Sequence, residues 1–491
     1  MGIDTDTTTK EENSYGNILK RISSFGGVQV FNIVVNLVRG KFVALFLGAE
    51  GMGISSLFTS STTTLQQIAS LGLNLAVVKE IAAEKDNQEN LPHILAVAFK
   101  MIIFTSLLGG VISFCMAPLL SKWTFGNYNY TISFMALSLF VSLAVAGGGY
   151  LSLLQGMGEV KRLTRASIVG GLTGLCVGVP LYYFFSYNGI VPAMIILALA
   201  TFLFYFISFR KSVIYDKVKF SWQSHKPLVK RLISLGFILL IGGLAGTFVN
   251  YLINIYVRTY GSVDNVGFFQ AANSLTNQYV GIIFSALALD YFPRLSAVSK
   301  NTVKLNEVVN RQAEIVILIT TPLILLLIIS TPIVIDVLLT KEFLVITTLT
   351  RWLGFGVFLQ SVTFPLEYIF LAHYNQKIYV WTEIVFANIL WIAASFFFYR
   401  IFGLNGLGIS LVVRTIIEFG VVYIICRKIY LFRYTRKVIT VLLLCLILGS
   451  AGFTVSFLPD ALSYSLQGGI LAISLLFSGI SLKKGLKKVT I

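Results

Sequence analysis

Apolar runs of about 18–25 residues recur along the whole of this 491-residue chain. A helix rises about 1.5 Å per residue, so each run is long enough to cross a hydrocarbon core roughly 30 Å thick. In lipid every backbone N–H and C=O must be satisfied within the protein, which leaves only helices and closed barrels. A barrel would show alternating segments of about ten residues, and these are absent. The runs predict an all-α polytopic membrane protein with about 14 transmembrane helices. They fall at about 22–47, 53–78, 93–120, 130–155, 164–186, 190–210, 232–257, 265–291, 312–339, 345–371, 378–401, 404–426, 438–458 and 464–482. Only 12% of the residues are charged, which excludes an ordinary soluble domain.

The charges that remain are sorted by side. With the N-terminus placed inside, 29 of the 38 Lys and Arg lie in inner segments, and four (Lys122, Arg258, Lys341, Arg400) lie in outer loops. That asymmetry predicts a multi-pass membrane protein with both termini cytoplasmic. It also accounts for the net charge of +17 as topology and headgroup contact, without nucleic acid. The opening "MGIDTDTTTKEENSYGN" lacks a basic n-region and an A-x-A site, so it is not expected to be a signal peptide. Cys115, Cys176, Cys426 and Cys445 are scattered through apolar runs without metal spacing and read as packed thiols. His93, His225 and His373 read as solvated loop or helix-end residues, and no metal is expected.

The chain repeats itself. "LKRISSFG" (19–26) opens the first span and "VKRLISLG" (229–236) the seventh; "GAEGMGISSLFTSS" (48–61) parallels "GSVDNVGFFQAANS" (261–274). Six spans separate the copies, so they share an orientation and form a parallel repeat. The expected organisation is a cytoplasmic segment 1–21, an N-lobe 22–210 (helices 1–6) and a cytoplasmic linker 211–231. A C-lobe 232–426 (helices 7–12) follows, then 427–491 with helices 13–14 and a basic cytoplasmic tail.

Polar residues inside spans are costly and default to function; a cation at mid-span costs roughly 2.5–3.5 kcal/mol on insertion scales. Arg39 is such a cation, and Asn32 and Asn36 precede it at i−7 and i−3, giving one polar stripe. Lys41 lies about 200° round the helix from Arg39 and close enough to the outer headgroups to snorkel. The second span carries a polar face through Thr63, Gln66, Ser70 and Asn74. In the other half, Asn250 and Asn254 mark helix seven, and Gln270, Asn273 and Asn277 mark helix eight. The matching polar faces read as walls of a watery cavity between the lobes, against the alternative of interhelical hydrogen bonds in a dry bundle. Arg414 and Glu418 (i, i+4) read as a structural pair. Glu367 and Glu383 are candidates for H⁺ or Na⁺ coupling, set against a plainer role as paired carboxylates. Glycines 170, 174 and 178, and 242 and 246, read as close-packing positions. No nucleophile–base set or P-loop occurs, so the chain is not expected to be an enzyme or to drive transport with ATP by itself.

The stretch "VRGKFVALFLGAEGMGISSLFTSSTTTLQQIASLGLNLAVVKEIA", together with "LQGMGEVKR" and "DYFPRLS", resembles Wzx-type polysaccharide flippases. These belong to the multidrug/oligosaccharidyl-lipid/polysaccharide exporter superfamily. The two extra C-terminal spans are more like those of the lipid II flippases. The resemblance implies two lobes that move undecaprenyl-pyrophosphate-linked oligosaccharide from the inner to the outer leaflet by alternating access, for cell-surface polysaccharide such as O-antigen. It implies the bacterial cytoplasmic (inner) membrane, with membrane lipids and the polymerase or ligase of the pathway as partners; a monomer without cofactor is expected. The rival readings are a cation-coupled multidrug exporter, which would want acids in its cavity, and a lipid II flippase.

Overall fold

The computed structural model describes residues 5–84, 87, 89–211, 222–373 and 375–487. Helix accounts for 92% of the described residues, and no strand occurs among them. The helices are α1 (Thr5–Ser70), α2 (Leu73–Ala83), α3 (Asn90–Cys115), α4 (Ala117–Phe125), α5 (Thr131–Gly156), α6 (Val160–Phe185), α7 (Ile190–Arg210) and α8 (Trp222–Tyr260). They continue with α9 (Val263–Val298), α10 (Thr302–Leu338), α11 (Thr347–Ala372), α12 (Gln376–Tyr379), α13 (Ala387–Phe402), α14 (Leu404–Ile429), α15 (Arg436–Val455) and α16 (Asp460–Lys487).

Among the described residues, eleven helical stretches are long and apolar enough to cross a membrane. Two of them, Phe31–Ser70 (40 residues) and Val160–Arg210 (51 residues), have the length of two crossings each. With α9 over the eighth expected span, this gives the all-α architecture of about 14 crossings.

The helices break where the backbone chemistry allows. Within α1, Gly48 adopts φ 64°, ψ −162°, a region essentially open only to glycine, and so divides the first span from the second. The second span is not one helix as expected. It stops at Leu71 and Gly72, both at positive φ, and resumes as α2. The third span breaks at Met116, where Pro118 begins the next helix in the position that tolerates a missing N–H. The eleventh span opens with a π-helical turn, Val380–Phe386.

Two compact units result: residues 1–47 with 57–251, and residues 48–56 with 252–491. Residues 232–251, which the helix count places in the C-lobe, pack in the first unit. Leu232 is fully buried there among Leu73, Val77, Ile81, Val97 and Leu153. Gly236 also lies so close that a Cβ would collide with the carbonyl of Leu71. The buried Glu80 anchors α2 to Arg231 of α8, with Oε1 accepting from Nε at 2.9 Å. His225 is buried rather than solvated, and its Nε2 lies 3.0 Å from Nδ1 of His93. His373 is half-buried, its ring tilted against that of Tyr430 with centroids 4.5 Å apart.

The second unit holds its own helix crossing. A Cβ at Gly53 would strike the carbonyl of Val263, and one at Gly267 would strike that of Ala49. Each glycine lies four residues after the carbonyl that its partner helix touches. This reciprocity falls on the two stretches read as copies of each other. Beside it, Glu342 Oε1 accepts from the backbone N–H of Ala49 at 3.3 Å, capping the helix that restarts after Gly48. Two apolar cores, around Phe358 with Leu442 and around Phe370 with Phe432, complete the unit. Cys426 and Cys445 are buried as expected, but Cys115 and Cys176 face outward on their helices. Gly170 and Gly174 bring α6 against Thr201 and Leu197 of α7, whereas Gly246 has open space around it and serves no packing.

Candidate functional site

Asn32, Asn36 and Arg39 share one face of α1, as their spacing requires, and the structure places all three on the wall of one cavity. The cavity has a volume of about 410 Å³ and lies wholly within the first unit. That is within the range of small-molecule sites, roughly 300–1,000 Å³. Gln66 reaches the same wall from the stretch of α1 beyond Gly48, where its Nε2 donates to the carbonyl of Ala144 at 3.5 Å.

Small residues keep the space open. Gly147 and Gly148 of α5 and Gly171 and Gly174 of α6 line it, so backbone rather than side chain forms much of the far wall. Asn74 lies directly behind Gly148, with Nδ2 3.1 Å from where a Cβ would stand. Hydroxyls complete the ring: Thr201, and Ser167 bonded to Tyr205 at 2.8 Å.

Among the described residues on this wall, Arg39 is the one charged side chain. Its Nε donates to the hydroxyl of Tyr182 at 3.3 Å, and Tyr182, on α6, is 2% exposed. A guanidinium held through Nε keeps both terminal amino groups on one edge for a planar, two-pronged anion contact. Arg351 and Arg414, the other in-span arginines, are engaged elsewhere. Arg351 Nη1 donates to the carbonyl of Ser456 at 2.7 Å, and Arg414 pairs with Glu418 at 3.3 Å as expected.

The other expected residues lie apart from this wall. Thr63 is half-buried on α1 and does not line the cavity, and Ser70 is buried with its hydroxyl donating to the carbonyl of Gln67. Asn250 is exposed on α8. In the second unit, Asn254 is buried and its Nδ2 donates to Ser56 Oγ at 3.4 Å, while Ser56 donates to Gln270 Oε1 at 3.3 Å. Asn277 Nδ2 donates to Asn273 Oδ1 at 2.7 Å. These amides are brought together as interhelical and one-turn hydrogen bonds, the alternative that the sequence left open. Ser167, Thr201, Tyr205 and Tyr182 escaped sequence reading, because isolated hydroxyls in apolar helices are common and their only signal was the neighbouring glycine spacing.

Glu367 and Glu383 do meet, and Glu418 joins them. Their carboxylate oxygens lie within 4.8 Å of one another, on α11, on the π-helical turn before α13, and on α14. One guanidinium, that of Arg414, stands against three carboxylates, and Glu383 Oε1 is a buried oxygen without a hydrogen-bond partner. Single π-turns within helices occur frequently at functional sites.

A family model described as "Polysaccharide biosynthesis protein" matches residues 42–348. The chain is 24% identical over 361 residues to the lipid III flippase of Escherichia coli (strain K12), covering 72% of this chain and 84% of that protein. Among solved structures, the lipid II flippase MurJ in an inward closed conformation superposes with a TM-score of 0.70 at 16% identity, covering 95% of this chain and 99% of that one. An inward-facing multidrug resistance MATE family transporter of the MOP superfamily gives 0.69 at 16% identity, over 84% and 95%. The two likenesses share one fold.

Proposed function

Since the chain belongs to the polysaccharide biosynthesis protein family, we propose that it is a flippase for a lipid-linked precursor of cell-surface polysaccharide. Its substrate is undecaprenyl-pyrophosphate-linked oligosaccharide, carried from the inner to the outer leaflet by alternating access, with both termini cytoplasmic. The observation that carries this reading is the charge of the first-unit cavity: one arginine, fixed through Nε, within a ring of amides and hydroxyls. A pyrophosphate calls for a cationic planar donor, and sugars call for many neutral hydrogen-bonding groups. A cationic drug would instead call for a carboxylate, and none lines the wall among the described residues.

The carboxylate cluster supports ion coupling as the energy source. Three acids against one guanidinium leave a charge deficit that an H⁺ or Na⁺ would reduce. The polymerase or ligase that consumes the flipped glycan is the expected neighbour, and the chain itself carries out no covalent step.

Deleting the gene and analysing lipid-linked intermediates tests this function. Accumulation of an undecaprenyl-pyrophosphate oligosaccharide on the inner leaflet is the expected result. Raised drug sensitivity with no accumulated glycolipid would overturn the reading in favour of a multidrug exporter.

A further inference from the structure

On the second unit a groove of about 330 Å³ runs between α14 and α15. Val362 of α11 floors it, Phe419 of α14 walls one side, and Ile439, Leu443 and Leu446 of α15 wall the other. Its two hydroxyls are turned inward to the protein: Thr415 Oγ1 donates to the carbonyl of Leu411 at 2.8 Å and Tyr434 to that of Val362 at 3.4 Å. The groove therefore offers a ligand almost nothing but hydrocarbon contact.

One end is different. Arg436 lies three residues before Ile439 on the same stripe of α15, since spacings of three, four and three keep positions 436, 439, 443 and 446 on one face. Arg433 stands just before it, and both side chains are exposed. The turn that carries them is fixed by two asparagines of α10. Asn306 Oδ1 accepts from the N–H of Arg433 at 2.7 Å, and Asn310 donates to the carbonyl of Arg433 at 2.9 Å while accepting from the N–H of Thr435 at 2.8 Å. The backbone is thus fixed on either side of Tyr434, which lines the slot, and Arg436 begins α15 one turn before the slot's Ile439. The stripe from 436 to 446 is about 15 Å long at 1.5 Å per residue, which is half of a roughly 30 Å hydrocarbon core.

We propose that this groove holds one acyl chain of an anionic phospholipid, whose headgroup phosphate sits on Arg433 and Arg436. The depth of one leaflet suits a phospholipid resident in that leaflet, and an undecaprenyl chain is far longer than the slot. The phosphate accounts for the arginines, and the acyl chain accounts for the exposed Ile439 and Leu443. This site is separate from the first-unit cavity and does not depend on what that cavity transports.

Native mass spectrometry of the purified full chain tests it, with palmitoyl-oleoyl phosphatidylglycerol, the matching phosphatidylcholine and undecaprenyl phosphate as probes. One phosphatidylglycerol should remain bound under conditions that strip phosphatidylcholine. The double variant Arg433→Gln/Arg436→Gln, and Leu443→Trp, which fills the slot, should each lower its occupancy by about tenfold. Leu444→Trp, on an exposed face of α15 off the groove, should keep it. Equal retention of the two phospholipids, unchanged retention in the double variant, or displacement by equimolar undecaprenyl phosphate would overturn the proposal. Should Leu443→Trp fail to fold, the double variant at exposed positions decides alone.

Discussion

Two residues along a helix is a turn of about 200°, and Arg39 lines the cavity wall while Lys41 does not. The stripe Asn32, Asn36, Arg39 was legible from spacing alone, and the structure puts it on one wall. Tyr182 was not legible, since it lies 143 residues away and only packing of α6 brings it to Arg39. A hydrogen bond to a charged group contributes about 1.5–3 kcal/mol, and a bound anion feels only part of that loss because the guanidinium itself remains. Tyr182→Phe should therefore weaken glycolipid binding roughly two- to tenfold, read by titration, while leaving expression intact. An unchanged affinity would mean that the tyrosine does not position the guanidinium. Glu367 and Glu383 were legible as in-span acids, whereas Glu418 looked fully accounted for by Arg414 at i+4 and only the fold reveals its place beside them. Glu383→Gln should uncouple transport from an imposed ion gradient. Gradient-dependent flipping at the wild-type rate by that variant would remove the cluster from the cycle.

At the scale of elements, helix count and register were readable because hydrophobic length is a strong signal in a membrane chain. Breaks inside spans were less so, since they depend on partners. Leu71–Gly72 turns at positive φ where Gly236 crosses it, and nothing near Leu71 in the sequence announces that crossing. Packing between helices in lipid relies on close approach rather than on the hydrophobic effect, so the glycines at crossings carry it. Gly53→Leu or Gly267→Leu places a side chain against a backbone carbonyl and should lower the melting temperature of the purified protein by several degrees. Gly246→Leu, with nothing near it, should leave the melting temperature unchanged. Equal effects at the three positions would contradict the reciprocal crossing. Gly48→Ala should cost about 1–3 kcal/mol through its backbone conformation alone.

For the whole molecule, the expected topology makes a direct prediction. In intact cells, a single cysteine at Lys122 should react with an impermeant thiol reagent, and one at Lys211 should react only after the membrane is opened. The reverse pattern would invert the orientation. The repeat was legible in short motifs, and the mirrored contacts of Gly53 and Gly267 give it a physical counterpart. The division into compact units could not be read from helix count, because Leu232 joins a core assembled from α2, α3 and α5. The role proposed for Arg39 is to receive an anionic, sugar-bearing lipid in the first-unit cavity. Its most direct measurement is the affinity of the purified chain for undecaprenyl-pyrophosphate-linked oligosaccharide, compared between wild type, Arg39→Lys and Arg39→Ala. A hydrogen bond to a charged group contributes about 1.5–3 kcal/mol, so Arg39→Ala should bind some ten- to hundredfold more weakly, with Arg39→Lys between the two. Wild-type affinity in the alanine variant would contradict the account.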